Sequence, residues 1–416
     1  MISDYTSKRN CTLCGGNSLI ELVNLGNTPI ANQLESSLES SRNQKKYPLD
    51  LVLCGNCEHI QIGTLINPKI LFANYPYLSN SNLSTAQRFD ALAKKYISGF
   101  ELDRDSFVLE IGSNDGYLLE KMSACGGEVL GVDPAETAST IAKSKGLSCI
   151  VDFFSESLAK TIRKDFGNPD LIIANNVLAH SDDLQGIFQG ISHLMKEETV
   201  VIIEFSYVVD VYEKLLLDTI YHEHTSYHSI KPISTFLDKL GLYIFRIERF
   251  DAHGGSARIY IGKNGSPREI EQSVFSAIEN EERLEIHSEI SWGNFRDRLA
   301  VIKKDLAAII ADAKAGKGKL AGYGVPAKFT TLFYSLGLNE LDFDLIVDDN
   351  KLKVGKFAPG TGLEIMNPSR LVDDRISSVL LFSWNYRDHL ISRLRELQMN
   401  SCTVIIPLPQ LEVIKL

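Results

Sequence analysis

The chain runs to 416 residues, with 43 lysines and arginines against 53 aspartates and glutamates and a formal net charge of -10. That acidic balance, with no basic stripe, argues against a nucleic-acid partner. The opening residues, MISDYTSKRNCTLC, hold no apolar run of signal-peptide type, and no 18 consecutive apolar residues occur anywhere, so the expectation is a cytoplasmic, monomeric enzyme of two or three domains with no membrane partner.

The first feature that carries chemistry is two matched cysteine pairs. Cys11-x-x-Cys14 is followed by Gly15 and Gly16, and Cys54-x-x-Cys57 lies in LVLCGNCEHI. Such turns aim two thiolates at one centre, so the four predict a tetrahedral zinc site, structural because four cysteines leave no open position. Disulfides or a redox pair are the weaker alternative, since a cytosol keeps thiols reduced and no βαβ pattern surrounds either pair. Cys125, Cys149 and Cys402 stand alone and read as core thiols. A zinc-binding domain of short strands is expected over residues 1–72.

From Phe107 the pattern becomes strand, Gly-bearing turn and helix, repeated through EVLGVDPAETASTIAKSKG, PDLIIANNVLAH and ETVVIIEFSY. This alternation predicts a doubly wound, Rossmann-like α/β domain over residues 73–311. Its first turn reads Glu110-Ile-Gly112-Ser-Asn114-Asp-Gly116, unlike the G-x-G-x-x-G of dinucleotide folds. The glycines let backbone approach a ligand, and Asp133, at the end of the following strand, is placed to accept ribose hydroxyls. The turn followed by V-D resembles the nucleoside grip of S-adenosylmethionine methyltransferases. Glu110, Gly112, Asn114, Gly116, Asp133 and Asn175 form the expected cofactor set; an α/β turn with no ligand is the plain alternative. His180 is expected to end the fourth strand of this sheet, at the edge where clefts form.

Further on, Trp292, Phe295, Leu299, Ile302, Leu306 and Ile309 recur at helical spacing, a packing stripe. Beyond KAGKGK, the stretch LAGYGVPAKFTTLFYSLGL reads as strand, Gly322-x-Gly324-x-Pro326 turn and helix, and FDLIVDDN as a strand ending in Asp348 and Asp349. A second Rossmann-like α/β domain is expected over residues 312–416. Its turn amides and Lys328 suit a phosphate, and Gly322, Gly324, Lys328 and Asp348 are the expected substrate contacts. A lid or dimerisation domain that binds nothing is the alternative.

The stretch YHEHTSYHS packs His222, Glu223, His224 and His228 between Tyr221 and Tyr227. The zinc-protease pattern fails here, because Thr225 stands where its glutamate belongs between His224 and His228. If residues 221–224 are extended, His222 and His224 share a face. His253-Gly254-Gly255-Ser256 either shapes the same cleft or forms a hairpin turn.

In order along the chain, the two Cys-x-x-Cys pairs, EIGSNDG, NNVLAH, YHEH, HGGS and GYGVPAK…VDDN…PGT resemble the zinc-containing sugar C-methyltransferases, including those of tetronitrose biosynthesis. The resemblance covers nearly the whole chain. It implies a structural zinc domain, an S-adenosylmethionine domain and a C-terminal domain that helps hold a nucleotide-linked 4-keto-6-deoxysugar, methylated at C3 after α-deprotonation. The family's base and tyrosines carry over to His224, Tyr221 and Glu223, and to Tyr77 ahead of Tyr75 in NYPYLSNSN; His180 is the second choice of base. Where the family has a glycine and an asparagine after the lysine of G-Y-G-x-P-A-K, this chain has Phe329 and Thr330, which leaves the nucleotide's base open. Two other readings stay in play: an NAD-dependent nucleotide-sugar oxidoreductase using the C-terminal glycine turn, and a zinc- and nucleotide-binding protein without catalysis.

Overall fold

The computed structural model describes residues 4–71, 83–252, 254–316 and 318–416. At the N-terminal end, β1 (Tyr5–Ser7), β2 (Leu19–Thr28), β3 (Tyr47–Cys54), β4 (Ile60–Ile62) and β5 (Thr64–Ile66) form two small antiparallel sheets, β1 with β5 and β2-β3-β4 in sequence order. At ten residues β2 is longer than the expected short strands, and its register slips twice against β3. The outer edge of β4 is covered by Ser226–Tyr227, from the far side of the YHEH motif.

The central sheet has seven strands. β6 (Phe107–Ile111), β7 (Glu128–Val132), β8 (Ser148–Ile150), β9 (Leu171–Asn175) and β10 (Val200–Ser206) are mutually parallel; β11 is the Ser226–Tyr227 strand already placed beside β4. β12 (Leu242–Phe250) and β13 (Ser256–Lys263) form a hairpin, giving the order β12-β13-β10-β9-β6-β7-β8 with β13 reversed against β10. The runs FVLEI and LIIA are buried throughout, as a parallel sheet covered on both faces requires. One face carries helices Glu156–Phe166 and Leu184–Leu194, capped by the side chains of Ser155 and Asp183. The other carries Leu83–Gly99 and Tyr117–Met122. β9 stops at Asn175, earlier than expected: Asn176 turns left-handed at φ 56° and His180 closes a separate 3-10 turn, Leu178–His180.

The long helix Glu289–Ala315 buries Trp292, Phe295, Ile302 and Leu306, so the periodic stripe is packing, and leads into a second open sheet. Its strands β14 (Leu320–Tyr323), β15 (Leu345–Val347), β16 (Ile365–Met366), β17 (Ser378–Leu381) and β18 (Thr403–Ile406) are parallel, and β19 (Glu412–Lys415) closes the edge antiparallel. The order β16-β15-β14-β17-β18-β19 reverses at β14, so a crevice opens beyond the carboxyl ends of β14 and β17. One continuous core joins the three regions, with Leu22 and Leu51, Ile203 and Phe205, and Phe329 and Leu332 all in it.

Candidate active site and metal centre

Cys11 Sγ lies 3.6 Å from Cys57 Sγ and Cys14 Sγ 3.6 Å from Cys54 Sγ, and all four sulfurs fall within 4.8 Å of one another. Sulfurs about 2.3 Å from a tetrahedral zinc stand about 3.8 Å apart, so this spacing fits the metal. Backbone N–H groups of Leu13, Gly16 and Asn56 point at Cys11, Cys14 and Cys54 from 3.4 Å. The Cys57 thiol beside it holds Cys11 down at about 5, whereas burial pushes Cys54 up to about 11. Four thiolates this close need a divalent cation to coexist. Of the lone cysteines, Cys402 is buried as a core thiol, while Cys125 and Cys149 are only half-buried.

At the carboxyl edge of the central sheet, the turn after β6 is shaped for close approach. Gly112 sits at φ +73°, and a Cβ there would meet Val177 Cγ2 at 2.2 Å; Gly116, at φ +71°, caps the next helix. Asp133 Oδ2 accepts from the Asn114 N–H at 2.8 Å and Oδ1 from the Ala135 N–H at 2.8 Å, so the carboxylate ties the turn together, and each oxygen keeps a further lone pair. Burial, with the charge of Asp133 second, holds the Glu110 carboxyl well above its usual range. Glu110 Oε2, Asp115 Oδ1 and both amide atoms of Asn175 are buried without a hydrogen-bond partner among the described residues, which leaves them available to a polar ligand or to water.

Residues 221–224 form a turn, closed by the His224 N–H on the Tyr221 carbonyl at 2.9 Å, and are not extended. The turn separates the two histidines. His222 leaves toward the zinc-bearing sheet, where its Nε2 lies 3.1 Å from the Pro48 carbonyl and its ring packs edge-on to Tyr47. His224 instead packs at a tilt of 38° against Tyr221, with Nε2 2.9 Å from the phenol oxygen. Its Nδ1 is 3.0 Å from the Thr219 carbonyl, which only accepts, so Nδ1 carries the proton and Nε2 the lone pair. His180 meets the His224 ring edge-on at 4.9 Å and donates from Nδ1 to the Glu223 carbonyl at 2.9 Å; burial pulls it down to about 4 and keeps it neutral. Glu223 is 6% exposed, its carboxylate has no hydrogen-bond partner among the described residues, and burial lifts it to about 7. His228 is buried against His59 and Phe205, away from this cluster. Tyr77, Tyr75 and His253 lie outside the described residues; Gly254 and Gly255 belong to the β12–β13 hairpin connection.

The helix Phe329–Ser335 and the turn at Trp384 of the C-terminal region meet the segment just before residues 221–224. The Thr331 hydroxyl donates to the Ile220 carbonyl at 2.6 Å, and buried Asp218 accepts from Trp384 Nε1 at 2.8 Å with Lys328 Nζ at 3.9 Å. Asp218 was not among the residues singled out in the sequence, although a lone carboxylate in the apolar run KLLLDTI was the available signal. Gly324 sits at φ +92° against Ser383. The Val325 N–H is already held by Asp348 Oδ2 at 2.7 Å, so one of the turn amides expected for a phosphate is taken. Gly322 is enclosed, with Phe382 where a Cβ would go. The crevice lined by Tyr323, Gly324, Asp348, Asp349 and Ser383 measures about 160 Å³, too small alone for a nucleotide, since drug-sized sites begin near about 300 Å³.

A seven-stranded sheet with one reversed strand, a nucleoside-shaped turn ending on Asp133 and a tetrathiolate knuckle together define an S-adenosylmethionine-dependent methyltransferase with a structural zinc domain. Three family models match in order: a zinc binding domain at residues 11–72, a methyltransferase domain at 84–246 and a C-methyltransferase C-terminal domain at 251–409. The chain belongs to the zinc-containing, S-adenosylmethionine-dependent C-methyltransferases. C-methyltransferase NovU of Streptomyces niveus is 28% identical over 404 residues, spanning 97% of this chain and 96% of the relative. Among solved structures, magnesium protoporphyrin IX methyltransferase of Synechocystis PCC 6803 with bound SAH is 16% identical over 44% of this chain and 89% of that one, with a TM-score of 0.35. An S-adenosylmethionine-dependent methyltransferase of Clostridium acetobutylicum is 15% identical over 48% and 96%, with a TM-score of 0.34. Those two likenesses are too slight to carry any part of the assignment. No helix of the described residues is long and apolar enough to cross a membrane.

Proposed function

We propose that the enzyme methylates carbon C3 of a nucleotide-linked 4-keto-6-deoxysugar, with His224 as the base that removes the α-proton. The observation that carries this reading is the Tyr221–His224 pair: a phenol donor and an imidazole lone pair at 2.9 Å, with the tautomer fixed by Thr219. Carbon becomes nucleophilic only as an enolate, which needs a base and a donor to the developing oxyanion. His224 Nε2 takes the proton as the α C–H bond breaks, and the electron pair moves onto the ketone oxygen. The Tyr221 hydroxyl, released from Nε2, donates to that oxygen. His180 remains neutral and braces the turn through the Glu223 carbonyl. Gly112, Asn114, Gly116, Asp133 and Asn175, beside Glu110, would hold S-adenosylmethionine, which would supply the methyl group and leave as S-adenosylhomocysteine. Lys328, next to the turn, is the cation for the substrate's phosphates, and Gly324 and Asp348 border the crevice for its nucleoside.

A second reading of the base is favoured by one observation. Glu223, with burial raising it to about 7 and no hydrogen-bond partner among the described residues, has the pKa of a general base at neutral pH.

The test is methyl uptake from labelled S-adenosylmethionine onto a nucleoside diphosphate-linked 4-keto-6-deoxysugar, followed by carbon NMR of the product. A new quaternary or tertiary C3 bearing the labelled methyl is expected. Label on oxygen or nitrogen, or a nicotinamide-dependent change with no label, would overturn the assignment.

A further inference from the structure

Glu110 of β6, Asn175 of β9 and Glu204 of β10 lie on one face of the central sheet. Strand side chains alternate, and Val108, Leu171, Ile173, Val200 and Ile202 on that face pack under Phe89, Leu92, Ala93 and Tyr96 of the helix Leu83–Gly99. One turn from the start of that helix, Arg88 reaches the same strip. Its Nη1 donates to Glu204 Oε1 at 2.6 Å, and its guanidinium lies 5.1 Å from the Phe89 ring and 5.9 Å from the Phe250 ring. Glu204 is fully buried and already engaged by Arg258 Nη2 at 2.7 Å and Asn176 Nδ2 at 3.0 Å. Two guanidinium groups therefore meet one carboxylate. Arg258 spends its second nitrogen on Glu248, whereas Arg88, with 24% of its side chain exposed, has no further hydrogen-bond partner among the described residues.

The donor has a zwitterionic amino-acid end. With its ribose at Asp133, that end runs across the Gly112 turn toward β9 and β10, past the atoms of Glu110 on β6 and Asn175 on β9 that have no partner among the described residues. The Glu110 carboxyl cannot neutralise a carboxylate, and the Asn175 amide can offer one only an uncharged hydrogen bond, so a cation is wanting there. Lys145, a cation beside the turn, is already committed: it donates to the Asp115 carbonyl and stands 3.6 Å from Glu120. We propose that Arg88 binds the α-carboxylate of the donor, with Glu204 fixing the guanidinium in place. The inference rests on the donor cleft assigned above and is independent of the sugar.

The measurement is calorimetric binding of S-adenosylhomocysteine and of its decarboxylated analogue to the whole protein. Wild type is expected to favour S-adenosylhomocysteine by about tenfold or more, the range of a charge-assisted bond. Arg88→Met should abolish that preference by weakening S-adenosylhomocysteine alone, and Arg88→Lys should restore part of it. Unchanged binding of the analogue certifies the variant's fold, because Arg258 and Asn176 still hold Glu204. Equal loss of both ligands would make Arg88 merely structural and overturn the proposal. So would wild type that binds the two alike, a result available even if no variant folds. Failure of wild type to bind either ligand would instead remove the donor cleft itself.

Discussion

The Tyr221 phenol oxygen lies 2.9 Å from His224 Nε2 because a turn and not a strand joins the two residues. Residues three apart in a turn lie on the same side, and Thr219 holds the far nitrogen of the imidazole. The pair is thus preset before a substrate arrives. In heavy water without the methyl donor, the enzyme should exchange the α-proton of a nucleotide-linked 4-ketosugar, followed by proton NMR. His224→Asn should lower exchange and methylation together by about 100-fold or more, the usual worth of a general base. Tyr221→Phe should leave exchange measurable, since one oxyanion donor is lost while the base persists. If His224→Asn keeps near wild-type rates while Glu223→Gln loses them, the base is the carboxylate.

The pH dependence of Glu223 separates its strain from its chemistry. Its folded value, about 7, stands above that of the unfolded chain. The native state therefore holds a proton that the unfolded state has released, so stability falls as pH rises from the ordinary carboxyl range to about 7 and is level beyond. The full penalty is about 3 kcal/mol at most. Glu223→Gln should raise the denaturant-unfolding free energy at pH 8 by up to that amount and bring no gain at pH 4. A gain of equal size at both pH values would mean that ionisation is not the cause.

Zinc reaches the active site through the sheet. β4, which follows the second cysteine pair, pairs with Ser226–Tyr227, and Pro48 of β3 holds His222. Chelation of the metal, or Cys54→Ser, should unfold residues 4–71 and loosen the YHEH turn with them, since structural zinc contributes folding energy outright. One zinc per chain by metal analysis, and loss of circular dichroism and activity in parallel, are expected. A stable, soluble Cys54→Ser variant with turnover alone abolished would place the metal in the chemistry instead.

What was legible in the sequence is what neighbours encode. The Cys-x-x-Cys spacings, the Gly112 turn with Asp133 and the two strand–turn–helix alternations each draw their meaning from residues close in sequence, and the fold class follows from them. The turn at 221–224 was not legible, because no glycine or proline marks it and its shape is set by the surfaces it joins. His222 bonds to Pro48 across 174 positions, Thr331 to Ile220 across 111, and Arg88 to Glu204 across 116. No periodicity reports such pairings. The end of β9 at Asn175 was obscured because the apolar run continues through Val177 and Leu178, while the backbone breaks at Asn176.

Asp133 ties the Gly112 turn together, and the ribose contact proposed for it can be separated from that role by substitution. Both of its oxygens hold backbone N–H groups, of Asn114 and Ala135, while their remaining lone pairs are available to a ribose. Asp133→Ala removes the acceptors and unties the turn, and should weaken S-adenosylhomocysteine binding by about 100-fold, the sum of a charged contact and a loosened loop. Asp133→Asn keeps one oxygen for the turn and loses the charge, so a smaller loss, about tenfold, is expected. Lys328→Met should show the opposite selectivity, because its cation stands on the C-terminal side of the cleft, 3.9 Å from Asp218. It should weaken a nucleoside diphosphate and leave S-adenosylhomocysteine unchanged. Calorimetry with both ligands on each variant resolves the pattern. If Asp133→Ala weakens the nucleoside diphosphate as much as S-adenosylhomocysteine, the acid is a general support of the fold and the ribose must be held elsewhere.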